Sequence, residues 1–449
     1  MQTLNLESLR AMVRGAILAP TDTAYQSYRR IWNGMIDRHP ALIFRCAGAA
    51  DVIIAIKTAR DAGLPIAVCG GGHSFPGFST CDNGVMIDLR SMKGIRVDPV
   101  ARRARAEPGN TWSDYDRETQ AFGLASTGGM ISHTGIAGLT LGGGFGLLMR
   151  KHGLAVDNLV SADVVTADGG LVHANANENP DLFWALRGGG GNFGIVTSFE
   201  YNVHPVGPTV FGGLVAFPLS EATRVLPGVQ ELMAEASDDL STVTVMITTP
   251  DGHKAVGIAF CFVGNLSDAE AAIAPFRKIA TPVMEQLGPM PYTAAQTMFD
   301  AAATPGNRYY IRSNYVEDAS EAFAGMLAEG FAQAPSPLSA VVMPYMRGAV
   351  ARVPAEATAY FHRSAAFTFT LLGSWTDPSD DSANVTWLKQ LWSRLAPHLP
   401  NAVYVNELEE EGNDRVRSAY GPSYGRLSAI KKRYDPSNLF RLNQNIAPA

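Results

Sequence analysis

Residues 127–146 read TGGMISHTGIAGLTLGGGFG, and they form the middle one of three glycine-rich stretches. The other two are CGGGHSFPG at 69–77 and RGGGGNFG at 187–194. Glycine lets backbone N–H groups converge on an anion without an obstructing Cβ, and such concave arrangements bind phosphate. Three of them in the first half of one chain predict a long ligand with several contacts, such as a dinucleotide.

Neither a membrane span nor a Rossmann fingerprint accounts for these glycines. The stretch from Thr119 to Met149 contains no Asp, Glu, Lys or Arg, but so much glycine and hydroxyl makes a poor lipid-facing helix. The spacing Gly189-x-Gly191-x-x-Gly194 matches a dinucleotide fingerprint, yet a predicted helix precedes it and a predicted strand follows it. That motif requires the reverse order. No G-x-x-x-x-G-K-[ST] occurs, which excludes a P-loop NTPase.

The composition is that of a globular protein with a slightly acidic balance. The chain has 449 residues, with 36 Lys and Arg against 42 Asp and Glu, and its formal charge is −6. Apolar residues make up 46% and charged residues 17%, which excludes a disordered chain. Without a basic cluster, we expect neither a nucleic-acid partner nor a membrane partner. The first twenty residues lack a basic start followed by an apolar core, so we expect a cytoplasmic protein.

The cysteines and histidines show no metal-binding spacing. Cys46, Cys69, Cys81 and Cys261 form no C-x-x-C pair, which argues against a zinc ribbon or a thioredoxin-like site. We expect free, buried thiols. Neither H-x-x-x-H nor H-E-x-x-H occurs, and we therefore predict no metal site.

Hydrophobic spacing in the first half predicts alternating strands and helices. The sequence from 161 to 174 predicts a hairpin that turns at Asp168-Gly169. The predicted helices are 49–63, 111–123 and 179–191, and the predicted strands are 40–46, 64–69, 85–90, 94–99, 102–108 and 194–206.

After about Pro205 the glycine clusters disappear, and the pattern predicts a second α+β unit with a mixed sheet. The segment 414–434 reads as one helix, followed by a turn-rich tail at 435–446 that we expect to return to the first unit. The predicted helices of the second unit are 222–236, 267–280, 320–334 and 381–397, and its predicted strands are 241–248, 253–263, 339–346 and 364–374.

His73 is the sharpest single candidate for chemistry. It follows three glycines and precedes Ser74, in a loop whose backbone can approach a ligand closely. An imidazole in that place can act as a nucleophile, a base or a ligand. A histidine that only hydrogen-bonds a loop carbonyl fits the same spacing, and the local sequence leaves both interpretations open.

Four motifs, in order, resemble those of the berberine-bridge-enzyme-like FAD-linked oxidases, which share the vanillyl-alcohol-oxidase or PCMH-type flavin fold. The first three are GGGHSFPGFSTCDNGVMIDL (70–89), GIAGLTLGGGFGLLMRKHGLAVDNLVSADVVTADG (135–169) and NPDLFWALRGGGGNFGIVTSFEY (179–201). The fourth, YDPSNLFRLNQNI (434–446), is similar to the C-terminal signature of that family. The resemblance spans essentially the whole chain.

The resemblance implies an α+β protein in two parts. A PCMH-type FAD-binding domain takes residues 1–205 with a C-terminal return at 406–449. An α+β substrate-binding domain takes residues 206–405, and its mixed or antiparallel sheet covers the flavin. The cofactor-binding residues implied by the matching positions are His73, Gly70, Gly71, Gly72, Ser74, Gly77, Thr127, Gly128, Gly129, Ser132, Thr134, Gly135, Gly138, Gly142, Gly143, Gly144, Gly146, Asn192, Gly194, Ile195, Val196, Asn406, Asn443 and Asn445.

His73 occupies the position that bonds covalently to the flavin 8-methyl carbon in relatives. Bicovalent members carry a second attachment through a cysteine in a G-x-C-x-x-V-G segment. Here Ile131 stands at that position, so the resemblance implies a bacterial-type, monocovalent flavin held by His73 alone. Because bicovalent members often take bulky oligosaccharides, a sugar substrate becomes less expected.

Thr134 stands where many relatives have valine, beside the flavin edge at which dioxygen reacts. The enterocin-type natural-product enzymes of the family have threonine there and use an oxygenated flavin. A threonine hydroxyl could hydrogen-bond such an oxygen species. A valine-to-threonine exchange without functional effect fits the sequence equally.

Two candidates for a catalytic base come from a segment similar to the family's Y-x-N-Y strand. It reads Tyr404-Val405-Asn406-Glu407, with Glu407 in place of the second aromatic residue. A desolvated carboxylate near a flavin can act as the base with a raised pKa. Glu407 also fits the start of a solvated acidic run that ends at Glu411, and Tyr404 is the other candidate for the base.

Further aromatic and basic residues lie on predicted strands of the second unit. They either stack on a planar substrate or pack in the core, and Arg347 faces either an anionic substrate or solvent. These residues are Tyr309, Tyr310, Tyr315, Tyr345 and Arg347.

The resemblance implies an FAD-dependent oxidoreductase that passes two electrons from a small organic substrate to covalent flavin and then to dioxygen, giving hydrogen peroxide. An alcohol, a phenol or a natural-product intermediate is the expected substrate. The alternatives are a flavin-dependent oxygenase or cyclase of secondary metabolism, and a flavin-binding protein without rapid turnover. A monomer or homodimer is expected.

Overall fold

The computed structural model describes residues 6–449, and the first five residues of the predicted FAD-binding domain lie outside that description. In chain order, the strands of the described part are β1 (Ala16–Leu18), β2 (Leu42–Arg45), β3 (Ile66–Cys69), β4 (Val85–Asp88), β5 (Ile95–Asp98), β6 (Arg103–Ala106), β7 (Leu124–Ala125), β8 (Leu159–Val165), β9 (Leu171–Asn175), β10 (Ile195–Asn202), β11 (His204–Pro205), β12 (Thr209–Pro218), β13 (Leu240–Thr248), β14 (Lys254–Phe262), β15 (Met284–Pro291), β16 (Arg308–Val316), β17 (Ala340–Pro344) and β18 (Phe367–Trp375).

The helices follow the same chain order. They are α1 (Leu6–Met12), α2 (Tyr25–Tyr28), α3 (Ala49–Asp61), α4 (Trp112–Gln120), α5 (Ile136–Gly142), α6 (Met149–His152), α7 (Ala155–Asn158), α8 (Pro180–Leu186), α9 (Ala222–Glu235), α10 (Leu266–Arg277), α11 (Tyr292–Gln296), α12 (Glu321–Ala332), α13 (Ala349–Arg352), α14 (Asp381–Leu395), α15 (Asn413–Tyr420) and α16 (Tyr424–Tyr434).

The first half of the chain forms two main sheets. One has the strand order β1-β2-β4-β3, in which β2, β4 and β3 run parallel and β1 is antiparallel. The other is antiparallel with the order β5-β6-β10-β8-β9. The predicted hairpin is confirmed, since β8 pairs with β9 and Gly169 turns between them at φ +85°.

The second half is built on a seven-stranded antiparallel sheet in the order β15-β12-β14-β13-β17-β18-β16. Along its strands, side chains point alternately to two buried faces of the sheet. Phe367, Phe369 and Leu371 of β18 pack in a core with helices α9, α10, α12 and α14, whereas Thr370 and Leu372 point to the opposite face. All nine residues of β18 are buried, although Thr alternates with Phe at its start.

Two strands of this sheet carry no clear strand pattern in the sequence. Strand β12 has Gly212 and Gly213 at its centre, and β15 contains Pro289. Glycine weakens a strand signal, and proline is tolerated because β15 lies at the sheet edge. The sheet is antiparallel throughout, not mixed, because each of its neighbouring pairs is antiparallel.

The C-terminal segment differs from prediction in one respect and joins the first half as expected. The single helix predicted over 414–434 is two helices, because Gly421 and Pro422 end α15 at a positive φ of 52° before α16 begins. Residues of this segment share one hydrophobic core with α4, α5 and β10. Lys431 forms a fully buried ion pair of 2.7 Å with Asp435 and also donates to the carbonyl of Asn192.

Candidate active site

A cavity of about 400 Å³ lies between the glycine-rich loops and the seven-stranded sheet. We call its two sides the glycine-loop wall and the sheet wall. The glycine-loop wall consists of the lining residues within 70–79, 130–141 and 190–196. The sheet wall consists of Val342, Pro344, Thr370, Leu372 and the residues 404–408. Part of the C-terminal tail, including Tyr420 and 442–444, also lines the cavity.

The glycine-loop wall depends on a close approach between two loops. A Cβ added to Gly71 would lie within 3.0 Å of the backbone of Gly135, and one added to Gly135 would lie equally close to Gly71. Gly72 adopts a φ of +75°, which side-chain-bearing residues rarely adopt. These positions therefore require glycine, and the first two motifs meet at this point.

Many of the residues predicted to bind the cofactor line this cavity. They are Gly70, Gly71, Gly72, His73, Ser74, Thr134, Gly135, Gly138, Asn192, Gly194, Ile195, Val196, Asn406 and Asn443.

The remaining residues predicted for the cofactor lie outside the lining, and several of them serve to pack the loops. Gly128 lies against the ring of Trp112, and Gly146 lies against the backbone of Gly128. Thr127 Oγ1 donates to the carbonyl of Gly153 at 2.7 Å, and Ser132 donates through its N and Oγ to Asp300. The residues outside the lining are Gly77, Thr127, Gly128, Gly129, Ser132, Gly142, Gly143, Gly144, Gly146 and Asn445.

His73 is held from two directions in the glycine-loop wall. Its ring stacks on Trp32 with a centroid distance of 4.5 Å and an interplanar angle of 19°. Its Nε2 lies 2.8 Å from Nδ1 of His133. Burial, with a smaller contribution from His133, lowers the pKa of His73 to about 3, so the imidazole is neutral near pH 7. Within residues 6–449, His73 Nδ1 makes no hydrogen bond.

Asn192 joins the third glycine loop to the tail. Its side chain donates to the carbonyls of Gly189 and Gln444 and accepts from the backbone N–H of Ile446. Nearby, Oδ1 of Asn443 is buried and finds no hydrogen-bond donor among the described residues. Because Asn443 lines the cavity, that acceptor is available to a ligand.

Glu407 is the one carboxylate of the cavity lining within residues 6–449, and no lysine or arginine joins it there. Its Oε2 accepts hydrogen bonds from Ser313 Oγ at 2.8 Å and from Thr370 Oγ1 at 2.7 Å. Burial raises the pKa of Glu407, while the hydrogen bonds from Thr370 and Ser313 oppose that shift. Glu407 is half-buried in the cavity lining and hydrogen-bonded there, so it is not a freely solvated member of the acidic run.

Tyr404 contacts the glycine-rich segment rather than presenting a free hydroxyl. Its OH accepts hydrogen bonds from the backbone N–H of Gly144 at 2.8 Å and from Nδ2 of Asn406 at 2.7 Å. Asn406 donates also to the carbonyl of Leu139. Burial raises the pKa of Tyr404. The segment Val405–Glu407 is a 3₁₀ turn and not the expected strand, because these contacts hold it against α5.

Thr134 and Ile131, from which the sequence analysis inferred the oxygen chemistry and the single flavin attachment, both line the cavity. Thr134 is half-buried, and its hydroxyl makes no hydrogen bond within residues 6–449. Ile131, at the position of a second attachment, lies in the same wall and packs with Trp32 and Tyr309. The Cys69 thiol is buried, which raises its pKa to about 12 and disfavours a reactive thiolate.

Three of the four candidate tyrosines, Tyr309, Tyr315 and Tyr345, are buried core residues, and Tyr310 is half-buried. Tyr309 stacks on Trp32 at 3.8 Å, and Tyr315 shares a hydrogen bond with Tyr360. Tyr345 is 1% exposed and lies outside the cavity lining. Tyr310 lies under the guanidinium of Arg312. Arg347 is exposed and does not line the cavity, so its interpretation as an anion-binding residue is wrong.

Four residues of the site were not among the candidates identified from the sequence. Trp32 and His133 contact His73, and Ser313 and Thr370 contact Glu407. Ser313 lies 94 residues from Glu407 in the chain, and Trp32 lies in a segment without a motif. For His133, its place beside Thr134 in the second glycine-rich stretch is the one signal that points to the site.

Comparisons with known proteins agree with this geometry. Residues 40–175 match the sequence model described as an FAD binding domain, and residues 403–447 match the one described as berberine and berberine like. The (R)-6-hydroxynicotine oxidase of Paenarthrobacter nicotinovorans is 32% identical over 97% of both chains. The chain belongs to the berberine-like family of FAD-linked oxidoreductases. An FAD-linked oxidoreductase of Dictyostelium discoideum is 30% identical over 94% of this chain and 92% of its own.

The fold of this berberine-like protein is also that of a solved relative. The crystal structure of 6-hydroxy-D-nicotine oxidase from Arthrobacter nicotinovorans matches it with a TM-score of 0.88 at 29% identity, over 97% of this chain and 98% of the other. The predicted fold class and family are confirmed. Within residues 6–449, no helix has the length and hydropathy needed to cross a membrane, and no cluster of His, Cys, Asp or Glu is suited to a metal ion.

The residues of the cavity fit FAD. Three glycine-rich loops line one wall, and two of them touch through the backbones of Gly71 and Gly135, so that backbone forms much of this wall. The carbonyl oxygen of the Asn443 side chain is a buried acceptor without a protein donor among the described residues. His73 lies in the same wall, and its Nδ1 makes no hydrogen bond within residues 6–449. These groups would hold the cofactor against the sheet wall.

Proposed function

We propose that this protein is an oxidase that carries FAD on His73 and oxidises a small organic molecule bound against the sheet wall. When bound, FAD supplies a two-electron acceptor for a hydride from a substrate carbon, and dioxygen then takes the electrons to give hydrogen peroxide. The observation that carries this proposal is the pairing of a glycine-loop wall with the half-buried carboxylate of Glu407, the one carboxylate of the lining within residues 6–449, across one cavity.

Glu407 is the residue that we assign as the base. A substrate alcohol, phenol or amine must lose a proton as a neighbouring carbon gives up its hydride. One carboxylate oxygen of Glu407 is held by Ser313 and Thr370, and within residues 6–449 the other makes no hydrogen bond. The hydroxyl of Tyr404 already accepts two hydrogen bonds, which makes its oxygen a poorer acceptor for a further proton.

The charge of the cavity limits the substrate class. Its sheet-side lining is apolar apart from Tyr404, Asn406, Glu407 and Thr370, and within residues 6–449 it offers no lysine or arginine to an anionic substrate. A carboxylate in such surroundings repels an anion and favours a neutral or cationic group. We therefore propose a compact, largely apolar alcohol, phenol or amine, among which a natural-product intermediate fits and an oligosaccharide does not.

His73 is the proposed single attachment point. In the tautomer that donates its Nε2–H to His133, the lone pair lies on Nδ1, which no other described group uses. The low pKa of this imidazole keeps that lone pair available. Ile131 provides no nucleophile for a second bond.

A second candidate function rests on Thr134. Its hydroxyl lies in the glycine-loop wall without a hydrogen-bond partner among the described residues, and it could donate to a reduced oxygen species, as an oxygenase would require. The two functions differ in their product: an oxidase releases one peroxide per substrate, whereas an oxygenase inserts an oxygen atom. Peroxide yield and ¹⁸O incorporation from ¹⁸O₂ separate them.

The first experiment is acid precipitation of the purified protein, followed by peptide mapping. We expect a yellow pellet with an FAD-sized adduct on the peptide that contains His73. The variant His73→Ala should release its flavin, whereas His173→Ala, outside the cavity and bonded to Asp163, should retain it. A colourless wild-type pellet would contradict the covalent attachment.

Oxygen uptake with a panel of small alcohols, phenols and amines then tests the oxidase assignment. Turnover with stoichiometric peroxide supports the proposal. Preferential turnover of carboxylate-bearing substrates would contradict the substrate class, because Glu407 would repel them.

A further inference from the structure

Two hydroxyls from neighbouring strands meet the carboxylate of Glu407. Ser313 on β16 and Thr370 on β18 are direct cross-strand partners, and both side chains lie on the sheet face toward the cavity. Ser313 is 0% exposed and Thr370 is 5% exposed. Both donate to the same atom, Oε2 of Glu407. A buried hydroxyl donor satisfied by a carboxylate is a strong, directional contact.

Thr368, the neighbouring threonine on the same sheet face, provides an internal comparison, because its hydroxyl does not contact a carboxylate. Thr368 lies two residues before Thr370 on β18, opposite Tyr315, and is 1% exposed. Its Oγ1 is buried and has no hydrogen-bond partner among the described residues. The two threonines share a strand, a face and burial, and they differ in their contact with Glu407.

We propose that Ser313 and Thr370 are positioning residues, which hold Oε2 of Glu407 and leave Oε1 to take the substrate proton. The inference rests on the proposed role of Glu407 as the base. Hydrogen bonds that stabilise the carboxylate also favour its ionised form against the burial that opposes it. Ser313 and Thr370 therefore determine which carboxylate oxygen of Glu407 faces the substrate and the pH above which Glu407 is ionised.

Several titratable groups lie around Glu407, and one of them, Glu409, has a pKa that burial raises to about 7, with its Oε1 accepting a hydrogen bond from the N–H of Ile311. Tyr404 and Tyr315 lie near Glu407, and burial raises the pKa of both phenols, so they stay neutral across the acid range. His73, also in the cavity lining, is neutral above a pKa of about 3. Arg312 and Arg415, from the elements packed against this turn, both pair with Glu411.

An infrared titration of the FAD-loaded protein tests the proposal without a known substrate. Difference spectra between pH 4 and 10 report protonated carboxyl groups, and the variant Glu407→Gln identifies the band that belongs to Glu407. Thr370→Val and Ser313→Ala should each raise the midpoint of that band by about one pH unit. The double variant should raise it further.

Two further variants separate positioning from packing. Thr368→Val changes the same residue type on the same face and should leave the midpoint unchanged. Thr370→Ser keeps a hydroxyl and should restore the wild-type midpoint. Flavin content and thermal midpoint of each variant show that the fold is retained.

The same variants are then assayed with the substrate found by oxygen uptake. The acid limb of kcat/KM should move to higher pH by the shift seen in the infrared titration. Equal shifts in Thr368→Val and Thr370→Val, or no shift in Ser313→Ala and Thr370→Val, would overturn the proposal. So would the absence of any band removed by Glu407→Gln. An infrared shift without turnover of any substrate would instead leave the positioning intact and contradict the proposed oxidase.

Discussion

The glycine-loop wall and the sheet wall enclose one cavity but are built by different means. On the glycine-loop wall, backbone approaches backbone, as between Gly71 and Gly135, and the absence of a side chain is what the geometry needs. On the sheet wall, side chains from separate strands meet, as Ser313 and Thr370 do at Glu407. The first wall is suited to hold a large ligand of fixed shape, and the second to distinguish one substrate from another.

The largest expected effect concerns the sheet wall. Glu407→Gln keeps the shape of the side chain but removes the proton acceptor. We expect kcat to fall by about 100-fold to 10,000-fold, since that is the usual contribution of a positioned base. Flavin content should stay unchanged, because the residues proposed to hold the cofactor lie on the glycine-loop wall. The matched control is Glu410→Gln, whose carboxylate is 63% exposed and pairs with Arg38. A fall in kcat of less than tenfold would contradict the assignment of Glu407 on the sheet wall as the base.

The next effect concerns the buried ion pair between Lys431 and Asp435 behind the glycine-loop wall. Lys431→Met leaves Asp435 buried without its cation, and removing one partner of a buried pair costs about 3 to 5 kcal/mol. Because Lys431 also donates to the carbonyl of Asn192, we expect flavin retention to fall together with the free energy of unfolding. Urea denaturation and flavin absorbance measure the two. Lys432→Met, at an exposed neighbour, should change neither.

A smaller effect is expected where the two loops of the glycine-loop wall touch. Gly71→Ala places a methyl group against the backbone of Gly135, which must shift. Overpacking of this kind costs about 1 to 3 kcal/mol, and we expect weaker flavin incorporation measured from the absorbance ratio. Gly425→Ala, with open space around its Cβ, serves as the control. Normal incorporation in Gly71→Ala would mean that the loops adapt without loss.

The smallest effect concerns Asp116, on the helix that packs behind the glycine-loop wall. Both carboxylate oxygens are buried without hydrogen-bond partners within residues 6–449, and burial raises the pKa of Asp116 well above its usual value. The folded state therefore retains a proton that the unfolded chain loses above about pH 4, and stability falls as pH rises. Asp116→Asn removes this dependence.

The free energy of unfolding of Asp116→Asn, taken relative to that of the wild type, should rise by about 1.4 kcal/mol between pH 5 and pH 6, as expected for one proton. Thermal or urea denaturation at the two pH values measures it. A constant difference between variant and wild type would show that Asp116 is not protonated in the folded protein.

The fold is readable from the sequence wherever local rules decide it. The helical spacing of 49–63 and 381–397 and the hairpin at 161–174 have matching elements in α3, α14 and the β8–β9 pair. Strands β12 and β15 are not readable, because glycine and proline within them are tolerated only in their particular places in the sheet. The break at Gly421-Pro422 has a local signal, since glycine followed by proline ends a helix, and it outweighs the helical spacing on either side.

For the site, the sequence by itself determined the glycine-loop wall. Runs of glycine mark backbone that must bend and approach closely, and residue type alone carries that requirement, whereas the role of His73 came from the resemblance to the family's motif. Only the tertiary structure decided the state of Glu407, since Ser313 and Thr370 lie 94 and 37 residues away and reach it through the register of two strands. A shift of that register by one residue would turn both hydroxyls to the opposite face of the sheet, and no local spacing in the sequence fixes it.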